Sequence, residues 1–181
     1  MDDLTSLLVR ASGGDREALS AFVSRAQPDV WRFCAAMLTP GVAEDATQET
    51  FLRAWRSSPN FRAESSARTW LLAIARRTCL DFIQRRMKAD RAVASAQRER
   101  GPEPIRDHGE VVALTAVTEL LAPDRRSAFI LTQVLGLSYD EAAQVAGCPV
   151  GTIRSRVARA RRDLQSALMD VPDEPRAAEH P

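Results

Sequence analysis

No stretch of this 181-residue chain alternates apolar and polar side chains as a half-buried strand requires. There is one tyrosine, no alternating Val/Ile/Thr run, and alanine, leucine, arginine and glutamate dominate. Apolar residues recur three and four positions apart, the spacing of one helix face. Such a chain is limited to an all-α fold whose helices bury their apolar stripes on one another. Composition changes around 87–109, where Lys88, Asp90, Arg91, Gln97, Arg98, Glu99, Arg100, Gly101, Pro102, Glu103, Pro104, Arg106 and Asp107 crowd together. That stretch lacks a consistent apolar face and contains breakers, so it reads as a flexible linker. The expected organisation is therefore a helical domain over 1–87, a linker over 88–109, a smaller helical domain over 110–169, and a short acidic tail over 170–181.

The stretch Ser138–Leu164 is the most informative. Ser138 and Glu141 make an S-x-x-E capping box, which predicts a helix starting at Ser138. Gly147 is suited to end it, and Pro149 lies just beyond. A second helix is predicted from about Val150–Thr152, and a helix, a short Gly turn and a second helix form a helix-turn-helix. On that second helix Ile153, Val157, Ala160 and Leu164 share an apolar face. Ser155, Ala158, Arg159 and Arg162 point the opposite way, with Arg154, Arg156 and Arg161 on the flanks. An arginine-rich face interrupted by small residues can lie in a major groove and meet phosphates or the O6/N7 edge of guanine. A supporting helix is predicted through Leu120, Leu121, Phe129, Ile130, Leu131 and Val134, with Asp124 after Pro123 as its start signal.

In the first domain, residues 42–56 form a helix by spacing. Ala43, Ala46, Thr47, Thr50, Phe51, Ala54 and Trp55 gather on one side, and Asp45, Gln48, Glu49, Leu52, Arg53 and Arg56 on the other. A leucine in a polar, acidic exposed face suggests a partner-docking surface. A polar loop containing Phe61 follows, then a long helix predicted over about Ala67–Arg86 that starts apolar and ends in a basic cluster. Trp70 and Phe82 have core spacing.

The strings GLSYDEAA and CPVGTIRSRVARAR resemble region 4 of extracytoplasmic-function sigma factors, the initiation subunits of bacterial RNA polymerase. EDATQETFLRAW is similar to region 2.2 of that family, and NFRAESSARTWLLAIARRTCLDFIQRR to regions 2.3 and 2.4. Within the family the chain looks most like the actinobacterial SigC-type group. The resemblance implies that Asp45, Gln48, Glu49, Leu52 and Arg53 bind core polymerase at the clamp coiled coil of its largest subunit, with the flap as a second contact. It implies that Phe61, Arg62, Glu64, Ser65, Ser66, Arg76, Arg77, Arg85 and Arg86 serve the −10 element, and that Thr152, Arg154, Ser155, Arg156, Ala158, Arg159 and Arg162 serve the −35 element. Arg77 departs from the pattern, since many family members carry Asn there. Promoter DNA and core polymerase are the implied partners, with an anti-sigma protein or packing of the two regions on each other as the means of silencing.

Other classes are disfavoured. The net charge is only +1, so nucleic-acid binding must rest on local basic patches. No phosphate loop, paired carboxylates or nucleophile motif points to an enzyme. No cofactor or metal is expected, because Cys34, Cys79 and Cys148 form no CxxC pair and lie far from His108 and His180; buried thiols are the plain reading. A polymerase-independent regulator would need a sensor domain, and 1–87 lacks the strands for one. No apolar run approaches the ~20 residues of a membrane span, and the acidic start Met1-Asp2-Asp3 leads into no signal-peptide core, so a cytoplasmic protein is expected.

Overall fold

The computed structural model describes residues 2–96 and 120–169. Its elements are α1 (Asp3–Ser12), α2 (Arg16–Met37), α3 (Pro40–Ser57), a 3₁₀ turn (Ser58–Asn60), α4 (Ala67–Ala96), α5 (Pro123–Phe129) running into a π-helical turn (Ile130–Val134), α6 (Tyr139–Ala146) and α7 (Val150–Met169). No strand occurs among the described residues, as the missing alternation requires. The expected linker beyond Ala96, the expected start of the second domain at 110–119 and the tail over 170–181 lie outside the described residues.

Local chemistry sets the helix ends. Asp2 caps α1 by accepting from the Thr5 N–H at 2.7 Å, and Asp15 caps α2 by accepting from Ala18 at 3.0 Å. Thr5 also reaches across the bundle, where its hydroxyl accepts the Ala67 N–H at 2.9 Å and satisfies the first turn of α4. The capping box of α6 is complete. The Ser138 hydroxyl accepts from the Glu141 N–H at 3.2 Å, and the Glu141 carboxylate accepts from the Ser138 N–H at 2.8 Å. Gly147 closes α6 in the left-handed region at φ 62°, where a side chain would be strained.

Helices α1–α4 form one bundle. Phe33, Met37, Leu71 and Leu72 are fully buried at its centre, each contributing about 1.5–3 kcal/mol by removal from water. Between Ala67 and Ile83 Arg77 alone is exposed, so α4 needs cover on nearly all sides. α1, α2 and α3 cover part of that surface, and α6 packs across another part. The second region thus joins the first in one continuous core that includes Ile130, Leu131, Leu135, Leu137, Ala142, Ile153 and Val157. Polar contacts stitch the seam. Arg68 pairs with Asp29 of α2 at 2.6 Å and donates to the Leu135 carbonyl at 2.8 Å. Arg126, only 8% exposed, donates to the Met37 carbonyl at 3.0 Å. α2 has no basic residue in its own last turn, so Arg126 brings a cation to the negative end of its dipole.

Several expectations shift. α4 continues to Ala96, into the segment assigned to the linker, because Lys88–Ala96 holds no Gly or Pro and Arg86 faces Asp90 one turn on at 3.9 Å. Leu120 stands outside the core at 64% exposed, because α5 begins only at Pro123, with its fixed φ at the first helical position. Asp124 does not cap that helix; the N-cap is Ala122 and makes no side-chain bond. Trp55, placed by spacing on the buried side of α3, is 47% exposed, because it sits at the edge of that face where α1 and α2 leave an apolar recess open.

The capping box gives a stability prediction with a sign. The Ser138 backbone and side-chain bonds hold the Glu141 carboxyl below the usual glutamate range. A lowered native value means that the stabilisation is present above the ordinary glutamate range and is lost as pH falls through the native value. Ser138→Ala should lower unfolding stability by about 1 kcal/mol at neutral pH. Glu141→Gln should flatten this part of the acid dependence, read as thermal midpoint against pH.

Candidate nucleic-acid and partner interfaces

Helix α7 is clamped from below by Ile153, Val157 and Ala160, all buried, and this seam fixes which side faces outward. Arg154, Ser155, Ala158, Arg159 and Arg162 are exposed along the opposite side, as the helical wheel expected. Thr152 and Arg156 are half-buried. The Ser155 hydroxyl turns back onto the Thr152 carbonyl at 2.9 Å, and the Arg154 guanidinium lies over the Tyr139 ring at 6.0 Å. Flanking pairs hold the helix in place: Arg161 to Gln133 at 2.7 Å and Arg125 to Asp163 at 2.6 Å. The result is a basic face about two and a half turns long that an anionic groove could receive.

The loop before α4 and the helix itself carry the second basic surface. Arg62 and Glu64 are exposed at the loop tip, where Ala63 adopts the left-handed region at φ 54°. Ser65 is half-buried, and Ser66 serves as the local cap, its hydroxyl accepting from the Thr69 N–H at 3.1 Å. Phe61 packs its ring on Trp70 with centroids 5.1 Å apart, so the loop aromatic is part of the fold's support. Arg77, Arg85 and Arg86 are exposed on α4.

One expected pair behaves differently from the rest. Arg76 of α4 and Arg156 of α7 both bind the carboxylate of Asp124, Arg156 at 2.9 Å, and Arg76 also donates to the Ser127 hydroxyl at 3.2 Å. Asp124 thus joins the two basic surfaces and withdraws one arginine from each. By sequence pattern Asp124 is a helix-start signal. Nothing in the local pattern links it to residues 48 positions before or 32 after, so only the tertiary contact reveals its role.

On α3, Asp45, Gln48 and Leu52 are exposed and Glu49 is half-buried. Leu52 is 54% exposed, a large apolar residue held in water. With Phe82 and Arg85 of α4 these residues line a shallow recess of about 300 Å³. Arg53 does not point into it. Its guanidinium bonds Asp81 at 2.6 Å and Glu49 at 2.7 Å, and these two carboxylates, Asp81 first, hold it firmly in the charged form. It therefore fixes α3 against α4 and orients Glu49. Arg85, expected with the −10 group, stands beside the α3 face, its guanidinium 5.8 Å from the Phe82 ring. No cluster of metal-ligating residues occurs among the described residues, and no described helix is long and apolar enough to cross a membrane.

The Sigma-70 region 2 family matches residues 22–89, and the Sigma-70 region 4 family matches residues 112–164. The chain is 50% identical over 164 residues to the ECF RNA polymerase sigma factor SigC of Mycobacterium tuberculosis, covering 89% of each chain. The chain belongs to the extracytoplasmic-function sigma-70 family. It is also 32% identical over 179 residues to the ECF RNA polymerase sigma-E factor of Escherichia coli K12, covering 91% of this chain and 94% of that one. Among solved structures, the sigma fold seen here is similar to CnrH in complex with the cytosolic domain of CnrY, with a TM-score of 0.74 and 25% identity over 95% of this chain and all of that one. It is likewise similar to the sigma factor RpoE of Bartonella quintana in complex with the anti-sigma factor NepR, with a TM-score of 0.69 and 28% identity over 84% and 98% of the two chains. In sigma terms, α1 precedes the matched region 2, α2–α4 constitute it, and α5–α7 lie in region 4.

Removing the Asp124 carboxylate should free one arginine on each basic surface. In an Asp124→Ala protein, log affinity for duplex DNA should fall more steeply with log salt, by about one unit of slope for each arginine that gains a phosphate. Fluorescence anisotropy across a salt series measures it.

Proposed function

We propose that this protein directs promoter-specific initiation by bacterial RNA polymerase. The exposed α3 surface of Asp45, Gln48, Glu49 and Leu52 docks on the clamp coiled coil of the polymerase's largest subunit, with Arg53 holding that surface in shape, and the flap is the second contact. Arg62, Glu64, Ser65, Arg77, Arg85 and Arg86 serve the −10 element, where cationic groups hold phosphates and the loop receives an unstacked base. Ser66 and Phe61 support the loop from beneath. Arg154, Ser155, Ala158, Arg159 and Arg162 read the −35 element from the major groove, with Thr152 beside them. The protein supplies recognition, and the polymerase supplies catalysis, in the cytoplasm where both would act. The observation that carries this reading is the open arginine face of α7 on a capped helix-turn-helix, joined in one chain to an exposed leucine in an acidic helix face.

The packed arrangement fits a silenced free state. Elements named −35 and −10 lie about 25 base pairs apart, on the order of 80 Å at 3.4 Å per step. Two regions that share one core, with Arg76 and Arg156 on the same carboxylate, must part before both elements are engaged. Core polymerase would hold them apart and turn the second DNA contact into an intramolecular one. An anti-sigma protein, the kind of partner bound to the similar sigma factor RpoE of Bartonella quintana, would act on these same regions.

Three outcomes test the reading. Purified protein with core polymerase should initiate at a defined start on the promoter upstream of its own gene, and an Arg154→Ala/Arg159→Ala protein should lose at least about tenfold of that activity, given ~1–3 kcal/mol per base contact. Leu52→Asp should abolish capture by core polymerase while leaving DNA binding intact. DNA binding without any initiation would point instead to a polymerase-independent regulator. Small-angle scattering of the free protein should give a compact particle; an extended two-lobed profile would rule out the silenced packing.

A further inference from the structure

Beneath the seam between the two regions lies a thiol pair that promoter recognition does not use. Cys34 of α2 and Cys79 of α4 are both wholly buried, with their sulfurs 3.7 Å apart and the Cys79 thiol donating to Cys34. Thr47 and Thr50 of α3 flank Cys34, but each spends its hydroxyl proton on its own helix, on the Ala43 carbonyl at 2.8 Å and the Ala46 carbonyl at 2.7 Å. A hydroxyl has one proton to give, so the Cys79 S–H is the donor left for Cys34. That contact lowers Cys34 from the ordinary thiol range. The same contact, with burial behind it, pushes Cys79 up. The contact favours the thiolate on Cys34 and leaves the Cys79 sulfur beside it, within reach of whatever forms there.

We propose that Cys34 and Cys79 are an oxidant-responsive dithiol that closes to an intramolecular disulfide on exposure to a hydroperoxide. The Cys34 thiolate attacks the terminal peroxide oxygen; the O–O bond breaks, giving a sulfenic acid on Cys34 and a hydroxide that takes a proton to become water. The Cys79 sulfur then attacks the Cys34 sulfur. The S–O bond breaks, the S–S bond forms, and the departing hydroxyl leaves as a second water with the Cys79 proton. Two thiols and one hydrogen peroxide become one disulfide and two waters, the sulfur pair losing the two electrons that the peroxide gains. A resolving thiol already in contact diverts the sulfenic acid from the irreversible sulfinic step. The sulfurs must close from 3.7 Å to about 2.05 Å. Hydrogen peroxide is close to water in size, so access asks for a local opening of the bundle and not its unfolding.

The position of the pair gives the modification a consequence. Cys34 lies three residues before Met37, whose carbonyl receives Arg126, and Cys79 lies three residues after Arg76, which holds Asp124 and Ser127. A cross-link between α2 and α4 there bears on the seat of region 4. The dithiol chemistry itself does not depend on sigma activity, so its test stands apart from transcription.

The test uses the full chain, with half-buried Cys148 as an internal reference. After hydrogen peroxide and denaturing alkylation, the intact protein should carry one alkyl adduct where the reduced protein carries three, and be lighter by two further hydrogens. A non-reducing peptide map should join the Cys34 and Cys79 peptides, and reduction should separate them. In Cys79→Ala, dimedone should instead trap sulfenic acid on Cys34; the wild-type map decides the matter if that variant fails to fold. Oxidation of Cys148 while Cys34 and Cys79 both alkylate would overturn the proposal. So would sulfinic acid on either buried cysteine without a cross-link, or a disulfide that involves Cys148.

Discussion

The first half of α4 cannot exist as a surface helix, and the rest of the structure follows from covering it. Leu71, Leu72, Ala75, Thr78 and Cys79 are buried, and Trp70, Ala73, Ile74 and Leu80 pack partly against the same core. A helix apolar over most of its circumference leaves water only by being surrounded. α1, α2 and α3 supply most of the surround, and α6 supplies more. The hydrophobic effect is non-directional, so it accepts any apolar cover of suitable shape. That tolerance lets α6, from the second region, complete the cover that α1, α2 and α3 leave open.

What makes the seam specific is its polar chemistry. A guanidinium taken out of water must be matched by acceptors, or its burial costs several kcal/mol. Arg126 finds the Met37 carbonyl at the end of α2, Arg68 finds Asp29 and the Leu135 carbonyl, and Arg76 finds Asp124 and Ser127. Each of these arginines regains water if the regions separate, so the pairs fix the register of docking without making it irreversible. Asp124 is half-exposed, and ion pairs of that kind contribute little to stability, on the order of 0–1 kcal/mol. The seam is therefore built to choose an arrangement more than to hold it.

The two basic surfaces and the α3 face share one principle. Each is a few exposed side chains on a helix whose other side is locked by burial, so the functional groups stand at fixed positions without being buried themselves. On α7 the lock is Ile153, Val157 and Ala160; on α3 it is Ala43, Ala46, Thr50 and Ala54, with Arg53 adding its link to Asp81. Fixed placement reduces the ordering cost of binding a partner.

The helical class, the helix-turn-helix and its outward arginines were legible in the chain because they rest on local rules: the 3.6-residue period, the Ser138–Glu141 box and the left-handed Gly147. Those effects act within a few residues, and they act the same way in any fold. The exposed Leu52 was legible for the same reason. What tertiary structure decided lies at long separation in sequence. Asp124 clasps Arg76 and Arg156 besides standing in the first turn of α5, Arg53 reaches Asp81 on a different helix, Phe61 packs its ring on Trp70, and Trp55 stands exposed at the edge of an otherwise buried face. In each case the partner, or the gap, comes from a different helix. The sequence by itself determined which faces are apolar and which charged; only packing determined which charged groups spend their charge inside the molecule, because a side chain's partners depend on which helices meet, and periodicity along a single helix carries no record of its neighbours.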